Sequence, residues 1–358
     1  MNEPVITDVP AEPAKPPLAF FVAWFGVGLV VYLLLGGATQ FLHLTFGLWF
    51  SEIAIFVGMT VLGWQLLSTM PARAIGVAKF EPKSFAIGVA FGLVNYVAWA
   101  VPTMAAAHAI FPKKIIEIFD GAKIFDRQTP LELWLIVLGV SIAAPFGEEF
   151  FFRGFFQRGL ELHRGGPRAV VLTAFIFSAF HLDPVGLVSR FELGVLFGLL
   201  AWYSGSLWPA MGAHAANNAF SSILFLASRG EDTPADEDSI KWYVALGMFV
   251  VGNAVLIALV RMTAPHLKSP VPAEIVDQPR PTFLKAASPW VLGGLASIAL
   301  LAALDWRGVA LNALDGVSQL PAATLKRPEL KELRARVRSG DAQLSEYRDR
   351  LKTVQTNL

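Results

Sequence analysis

The sequence predicts an all-α, polytopic transmembrane helix bundle of about eight or nine helices. Hydrophobic residues make up 54% of the 358 positions and charged residues only 16%, whereas a soluble domain carries roughly 25% charged residues. The mean hydropathy is +0.53, and the apolar residues form long continuous runs. A transmembrane β-barrel would instead show ~10-residue segments of alternating hydrophobicity. Helices are therefore the expected spanning elements.

The first apolar run, Leu18 to Leu35, is about long enough to cross a hydrocarbon core of ~30 Å. Residues 1–17 before it hold five prolines and an acidic start, which predicts a disordered tail followed by a retained helix, because a secretory signal begins with positive charge. Two of the eight later runs, 169–182 and 289–304, are short for a full span. The later runs are 47–67, 85–110, 131–157, 169–182, 187–203, 207–228, 241–262 and 289–304.

These runs divide the chain into successive parts. A cluster of five prolines marks an extended linker near 263–288. The expected parts are the tail 1–17, N-terminal membrane helices 18–125, a central membrane core 126–228, an acidic loop with a further helix 229–262, the linker 263–288, a last apolar helix 289–304 and a charged amphipathic tail 305–358.

The C-terminal tail carries apolar residues at alternating spacings of three and four, a heptad seam with a gap at Gly340. Its members are Leu330, Leu333, Val337, Leu344, Tyr347, Leu351 and Val354. Between 326 and 352, nine Lys and Arg against five Asp and Glu leave a net charge of +4. Two interpretations stay open for 326–358, namely a helix that forms a homo-oligomer or binds another partner, and a helix that lies on the membrane surface.

Charge and composition also limit function and orientation. A net charge of +1 gives no basic field, so no nucleic-acid partner is expected. The absence of cysteine excludes a thiol nucleophile and thiolate metal ligands. The connections after the second, fourth and eighth helices hold clusters of Lys and Arg and fall on one side, which predicts that side to be cytoplasmic. The opposite side receives the acidic loop 231–238, but also the basic connection 113–127.

The segment Gly147–Gly154 places two acids and one arginine in an aromatic stretch. A charge at bilayer depth costs at least ~2.5–3.5 kcal/mol, so such groups need an explanation. Glu149 and Arg153 are four apart and should pair on one helix face. Glu148 is then left without an ionic partner in its own segment, which suits a general base that takes a proton from water. A purely structural ion-pair cluster is the alternative, and the odd charge argues against it.

Two later segments carry imidazoles. Phe177 and His181 share a helix face, so the aromatic ring can pack against the imidazole and fix its rotamer. Taken alone, a histidine at a helix end is more often a cap or an interfacial residue. His214 and Asn218 are also four apart, on a helix whose small residues permit close helix approach. Peptide hydrolysis needs a base that activates water, and Glu148 can be that base. It also needs groups that bind an oxyanion or a metal, and the imidazoles of His181 and His214 and the amide of Asn218 can do so.

These motifs resemble those of the CPBP group of intramembrane proteases, which includes the eukaryotic CAAX-type Ras-converting endopeptidases and bacterial bacteriocin-processing or self-immunity proteins. The group's ordered pattern is EExxxR, FxxxH and HxxxN. This sequence has Glu148-Glu149 with Arg153, then Phe177 with His181, then His214 with Asn218. The match covers about 145–220, so the resemblance implies that the central core is the catalytic part of an intramembrane endopeptidase.

The resemblance also implies roles for single residues. Glu148 activates the attacking water, and Glu149 and Arg153 support it. The oxyanion or a zinc ion is held by His181, His214 and Asn218, with Glu148 as a further ligand if zinc is used. Zinc needs the amide oxygen or a water to complete the set, so metal use stays open. The implied substrate is a membrane-anchored protein or peptide, and the expected location is the bilayer of a bacterial inner (cytoplasmic) membrane.

Two other functions stay open. In a proton-coupled transporter, Glu148, His181 and His214 would form a relay, and in a non-catalytic scaffold the tail would recruit partners. Any function that brings Glu148, His181 and His214 together meets one geometric difficulty. Glu148 and His214 should lie toward the cytoplasmic side, whereas His181 ends a helix that runs outward, so 169–182 must be tilted or begin deeper to bring the three together.

Overall fold

The computed structural model describes residues 15–67, 74–77, 79–125, 130–228, 240–267 and 282–357, and within them it contains helices and no β-strand. The predicted all-α polytopic fold is confirmed. The acidic loop 231–238, most of the N-terminal tail and the centre of the Pro-rich linker lie outside the described residues.

The described residues form nine apolar helices, which make up the membrane part. Seven of them, all except α5 and α7, are long and apolar enough to cross a bilayer. The helices are α1 (Leu18–Leu42), α2 (Leu44–Leu66), α3 (Pro82–Ile110), α4 (Pro130–Arg164), α5 (Gly166–Phe180), α6 (Leu187–Ser204), α7 (Trp208–Ser228), α8 (Trp242–His266) and α9 (Phe283–Val317).

The last apolar helix is longer than the predicted span 289–304. The side chain of Thr282 caps its start by accepting a hydrogen bond from the Lys285 amide at 3.4 Å. Pro289 has no N–H to donate to the Lys285 carbonyl, and the Ser288 hydroxyl donates to that carbonyl instead. At the other end α9 kinks at Asp305 (φ −141°, ψ 46°) and continues. The prediction missed these turns because Lys285, Asp305 and Arg307 interrupt the apolar run on either side of 289–304.

The tail forms a helical hairpin of α10 (Pro328–Ser339) and α11 (Leu344–Thr356), which turns at Gly340 with φ +96°. Its apolar seam packs against the end of α9, where Leu311 is fully buried. The Tyr347 hydroxyl donates to Asp315 at 2.7 Å, and burial together with this bond raises the pKa of Tyr347. The end of α9 thus covers the apolar seam within the same chain. An oligomer or a partner bound through 326–358 stays a prediction.

Hydrogen bonds and ion pairs connect the hairpin and the end of α9 to the transmembrane helices α1 and α4. Arg338 donates to Glu132 at the start of α4 at 3.1 Å and to Asp305 at the kink of α9 at 2.9 Å. Asn312 donates to the Leu42 carbonyl at the end of α1. The tail therefore lies at the end of the bundle where α1 and α9 finish and α4 begins.

The contact between α3 and α7 determines where the His214 helix lies. Gly88 and Gly92 of α3 face α7, and a Cβ atom on either would overlap a backbone carbonyl, that of Pro209 or of Ala213. Two glycines four apart allow helix backbones to approach this closely. Since Ala213 directly precedes His214, the contact fixes the depth and rotation of that imidazole.

Gly92→Val is expected to push α7 away from α3 and to destabilise the protein by about 1–3 kcal/mol, the usual cost of overpacking. Denaturation of the purified protein in detergent, followed by circular dichroism, measures the effect. Gly247→Val in α8 is the matched control, because nothing lies within 4 Å of a Cβ at that position. Equal stability of the two variants would contradict the packing argument.

Candidate active site

One face of α4 carries a column of buried polar side chains. The helix widens into π-helical turns at Glu149–Gln157, a distortion that is frequent at functional sites. Arg153 donates to Glu149 Oε1 at 2.8 Å and to the Gly194 carbonyl of α6 at 3.2 Å. The predicted pairing of Glu149 with Arg153 is confirmed, and both side chains are 0% exposed.

The imidazole of His214 joins this pair from α7. Its Nδ1 lies 2.9 Å from Glu149 Oε1, the atom that also accepts from Arg153. A carboxylate held by an arginine accepts hydrogen bonds, so Nδ1 carries the proton and Nε2 points away from Glu149. Nε2 lies 3.7 Å from Glu148 Oε2. His214 therefore stands between the two carboxylates.

Aromatic rings enclose the charged groups. The guanidinium of Arg153 lies over Phe177, 4.4 Å from the ring centroid, and 5.4 Å from that of Phe197. Phe197 also stacks on His214, with the two centroids 4.6 Å apart and the planes 18° apart. The rings shield the ion pair from lipid and hold the imidazole in one orientation.

The Phe177 ring connects His181 to the other residues of the site. The Phe177 ring contacts the rings of both His181 and His214, with centroids 5.0 Å and 6.1 Å away. His181 Nδ1 lies 2.8 Å from the Phe177 carbonyl oxygen, and because a carbonyl only accepts, Nδ1 carries the proton and the neutral ring keeps a free lone pair on Nε2. The predicted packing of Phe177 against His181 is confirmed.

The shortness of α5 removes the depth difficulty. Its 15 residues span about 22 Å at 1.5 Å per residue, less than the ~30 Å of a hydrocarbon core. The chain turns directly after it, with Leu182 at φ +51° and Asp183 Oδ1 accepting from the Val185 amide at 2.9 Å. The contact of the Phe177 ring with both imidazoles places His181 near His214 at this end of α5.

Asn218 lies one turn beyond His214 and also faces α4. Its Nδ2 donates to the Val140 carbonyl at 3.0 Å. That carbonyl is free because α4 is π-helical there, with the Ala144 amide bonded to the Gly139 carbonyl, and the next donor in this register would be Pro145, which has no N–H. The second hydrogen of the Asn218 amide remains available for a ligand.

Glu148 differs from its neighbour in accessibility. Its side chain is 11% exposed, whereas that of Glu149 is 0% exposed. No basic side chain other than His214 lies within 4 Å of Glu148 in the described part of the chain. Both acids are therefore buried residues, but only the Glu148 side chain keeps a small accessible surface.

Two acids of the membrane part lie outside the predicted motifs, one beside the site and one away from its residues. Glu52 of α2 is buried beside Gly147, and Glu192 of α6 accepts a hydrogen bond from Asn95 of α3 at 2.8 Å. The signal that could have found them is a lone acid or amide within an apolar run, which by the same energetic argument needs a partner.

The predicted zinc set does not fit this arrangement. A zinc ion needs four ligand atoms at about 2.0–2.3 Å from one point. Among the residues that the structure describes, no three His, Asp or Glu side chains are placed to hold one metal ion. The oxygen of Asn218 accepts from Asn217 at 3.3 Å.

Comparison with known proteins identifies the segment that carries the site. Residues 130–220 match the family model described as type II CAAX prenyl endopeptidase Rce1-like, and all six predicted site residues lie within them. No curated protein and no solved structure matches the chain. The predicted resemblance is confirmed at the level of the family.

Proposed function

We propose that this multi-pass membrane protein, whose residues 130–220 are Rce1-like, is an intramembrane endopeptidase that hydrolyses a peptide bond in a membrane-anchored protein or peptide. The observation that carries the proposal is the contrast within the acid pair. Glu149 is fully buried and bonded to Arg153 and His214, whereas the Glu148 side chain keeps 11% of its surface accessible and lies 3.7 Å from the His214 Nε2. A base must reach water, and Glu148 is the acid that can do so.

Hydrolysis begins with a water molecule between Glu148 and the scissile carbonyl. Glu148 takes one proton from the water while the resulting hydroxide oxygen bonds to the carbonyl carbon. When the C–N bond breaks, Glu148 passes this proton to the leaving nitrogen, so that one water is consumed and an acid and an amine are formed. The free lone pair on His181 Nε2 accepts a hydrogen bond from the same water and orients it.

The carbonyl oxygen gains negative charge in the intermediate and needs donors. Asn218 supplies the second hydrogen of its amide, and a protonated His214 supplies Nε2–H. Arg153 and protonated His214 balance Glu148 and Glu149, so the odd charge of the acid pair is compensated. Donors fixed in a site that excludes water stabilise such an oxyanion strongly.

The surroundings determine the class of substrate. Because the site lies among helices able to span a membrane, a substrate approaches through the bilayer, and a segment anchored there is presented at this depth. A peptidase that removes a membrane anchor during protein sorting in the bacterial inner membrane is the proposed role.

Reconstitution into liposomes tests the function. The protein is expected to cut single-span reporter peptides into two products whose masses sum to substrate plus one water, with 18O from labelled water in the new carboxyl group. A chelator such as EDTA or 1,10-phenanthroline is expected to leave the rate unchanged. Proton flux without cleavage would favour a transporter, and loss of cleavage that zinc restores would contradict the metal-independent chemistry.

A further inference from the structure

Glu52 is a buried carboxyl group that the mechanism above does not use. It lies in the π-helical turns Phe50–Val57 of α2, and its residue is 1% exposed. Its Oε2 atom is buried and has no hydrogen-bond partner among the described residues. An ionised carboxylate that is buried without a partner is costly, so this group needs an explanation.

The position of Glu52 is fixed by Gly147, the residue before Glu148. A Cβ atom on Gly147 would lie 2.6 Å from Glu52 Oε2 and 2.5 Å from the Glu52 carbonyl oxygen. Only glycine leaves room for the carboxyl group against the α4 backbone at this point. The close approach of α2 therefore places a third carboxyl group beside the acid pair.

The groups around Glu52 can be named helix by helix. The helices that pack along this part of α2 are α1, α4 and α9, and α5 contacts it through the rings of Phe180 and Phe56. Glu148 of α4 interacts electrostatically with Glu52. The Tyr32 hydroxyl of α1 interacts electrostatically with both acids. At its contacts with α2, α9 contributes the Trp290 ring and Gly294. No cationic side chain lies within 4 Å of Glu52 in the described residues.

Building on the proposed function, we propose that Glu52 is a positioning residue of the active site that shares one proton with Glu148. Two carboxyl groups in one buried site hold a single proton between them, because like charges side by side are unfavourable. The proton resides on Glu52, which has no cation, while Glu148 has His214 at 3.7 Å. Glu52 then keeps Glu148 ionised and oriented as the base.

Two substitutions separate proton sharing from packing. Glu52→Leu removes the polar group and is expected to lower kcat about tenfold to a hundredfold at unchanged KM, the scale of a misplaced catalytic group. Glu52→Gln retains a neutral donor, so it is expected to keep a kcat close to that of the wild type at neutral pH. The alkaline limb of its kcat profile is expected to move to higher pH, because an amide has no proton to lose there.

Glu192→Gln is the matched control, since its carboxyl group bonds to Asn95 and lies within an apolar helix; its kcat and pH profile should match the wild type. Wild-type kcat and pH profile in Glu52→Leu would overturn the inference. So would equal inactivity of Glu52→Leu and Glu52→Gln with folded protein, which would indicate that catalysis needs an ionisable carboxyl group at position 52 and not a neutral donor.

Infrared spectroscopy provides a readout that needs no substrate. The carbonyl band of a protonated carboxyl group should disappear in Glu52→Gln, and its titration should shift in Glu148→Gln. A band that titrates identically with and without Glu148 would overturn the proton sharing. If the wild type cleaves no reporter, the proposed function fails, and the band still decides whether the two carboxyl groups are coupled.

Discussion

Glu148→Gln is expected to abolish hydrolysis while the protein remains folded. Glutamine has the same shape but cannot accept a proton from water, and general base catalysis typically contributes ~10²–10⁴-fold to a rate. The structural cost should be small, because glutamine keeps the size of the side chain and the nearest basic neighbour, His214 at 3.7 Å, lies beyond hydrogen-bond distance. The loss should therefore appear in kcat, with KM and the unfolding transition near those of the wild type.

Reporter cleavage in liposomes, with protein amounts matched by quantitative blotting, measures this effect. Glu192→Gln removes another carboxyl group from an apolar helix, one that bonds to Asn95, and should cleave at the wild-type rate. Cleavage that survives Glu148→Gln would refute the assigned base. Loss of folded protein in the same variant would show that Glu148 is structural, and the catalytic role would then have no support.

Contacts within one helix could be predicted from the sequence. The spacing of four between Glu149 and Arg153 follows from helix geometry, and the structure has them 2.8 Å apart. The same rule placed Phe177 beside His181. Local geometry fixes these pairs whatever the rest of the bundle does, so three short motifs identified most of the site.

Contacts between helices could not be predicted in the same way. The bond between His214 Nδ1 and Glu149 depends on how far α7 approaches α4, which depends on Gly88 and Gly92 on a third helix. Glu52 lies nearly a hundred positions before Glu148, and no spacing rule connects them. The tail shows the same limit, because its heptad seam predicts an apolar partner without revealing that the end of α9 is that partner.

Arg153→Met is expected to be the most destabilising single substitution in the site. It leaves Glu149, which is 0% exposed, without its cation, and breaking a buried ion pair by removing one partner costs about 3–5 kcal/mol. The Gly194 carbonyl would also lose its donor, and the ring of Phe177 would lose the cation above it. Arg153→Lys should be intermediate, because lysine keeps the charge but not the planar fork.

The free energy of unfolding in mixed micelles, measured by titration with a denaturing detergent, provides the test. Arg348→Met is the control, since that arginine is 53% exposed and pairs only with Asp349, and exposed pairs contribute about 0–1 kcal/mol. The double variant Glu149→Gln/Arg153→Met should recover much of the lost stability, because it no longer buries an uncompensated carboxylate. Additive losses in the double variant would mean that the two side chains do not act as a pair. In that case Arg153 would not neutralise Glu149, and the argument that Glu148 is the acid left to act as the base would fail.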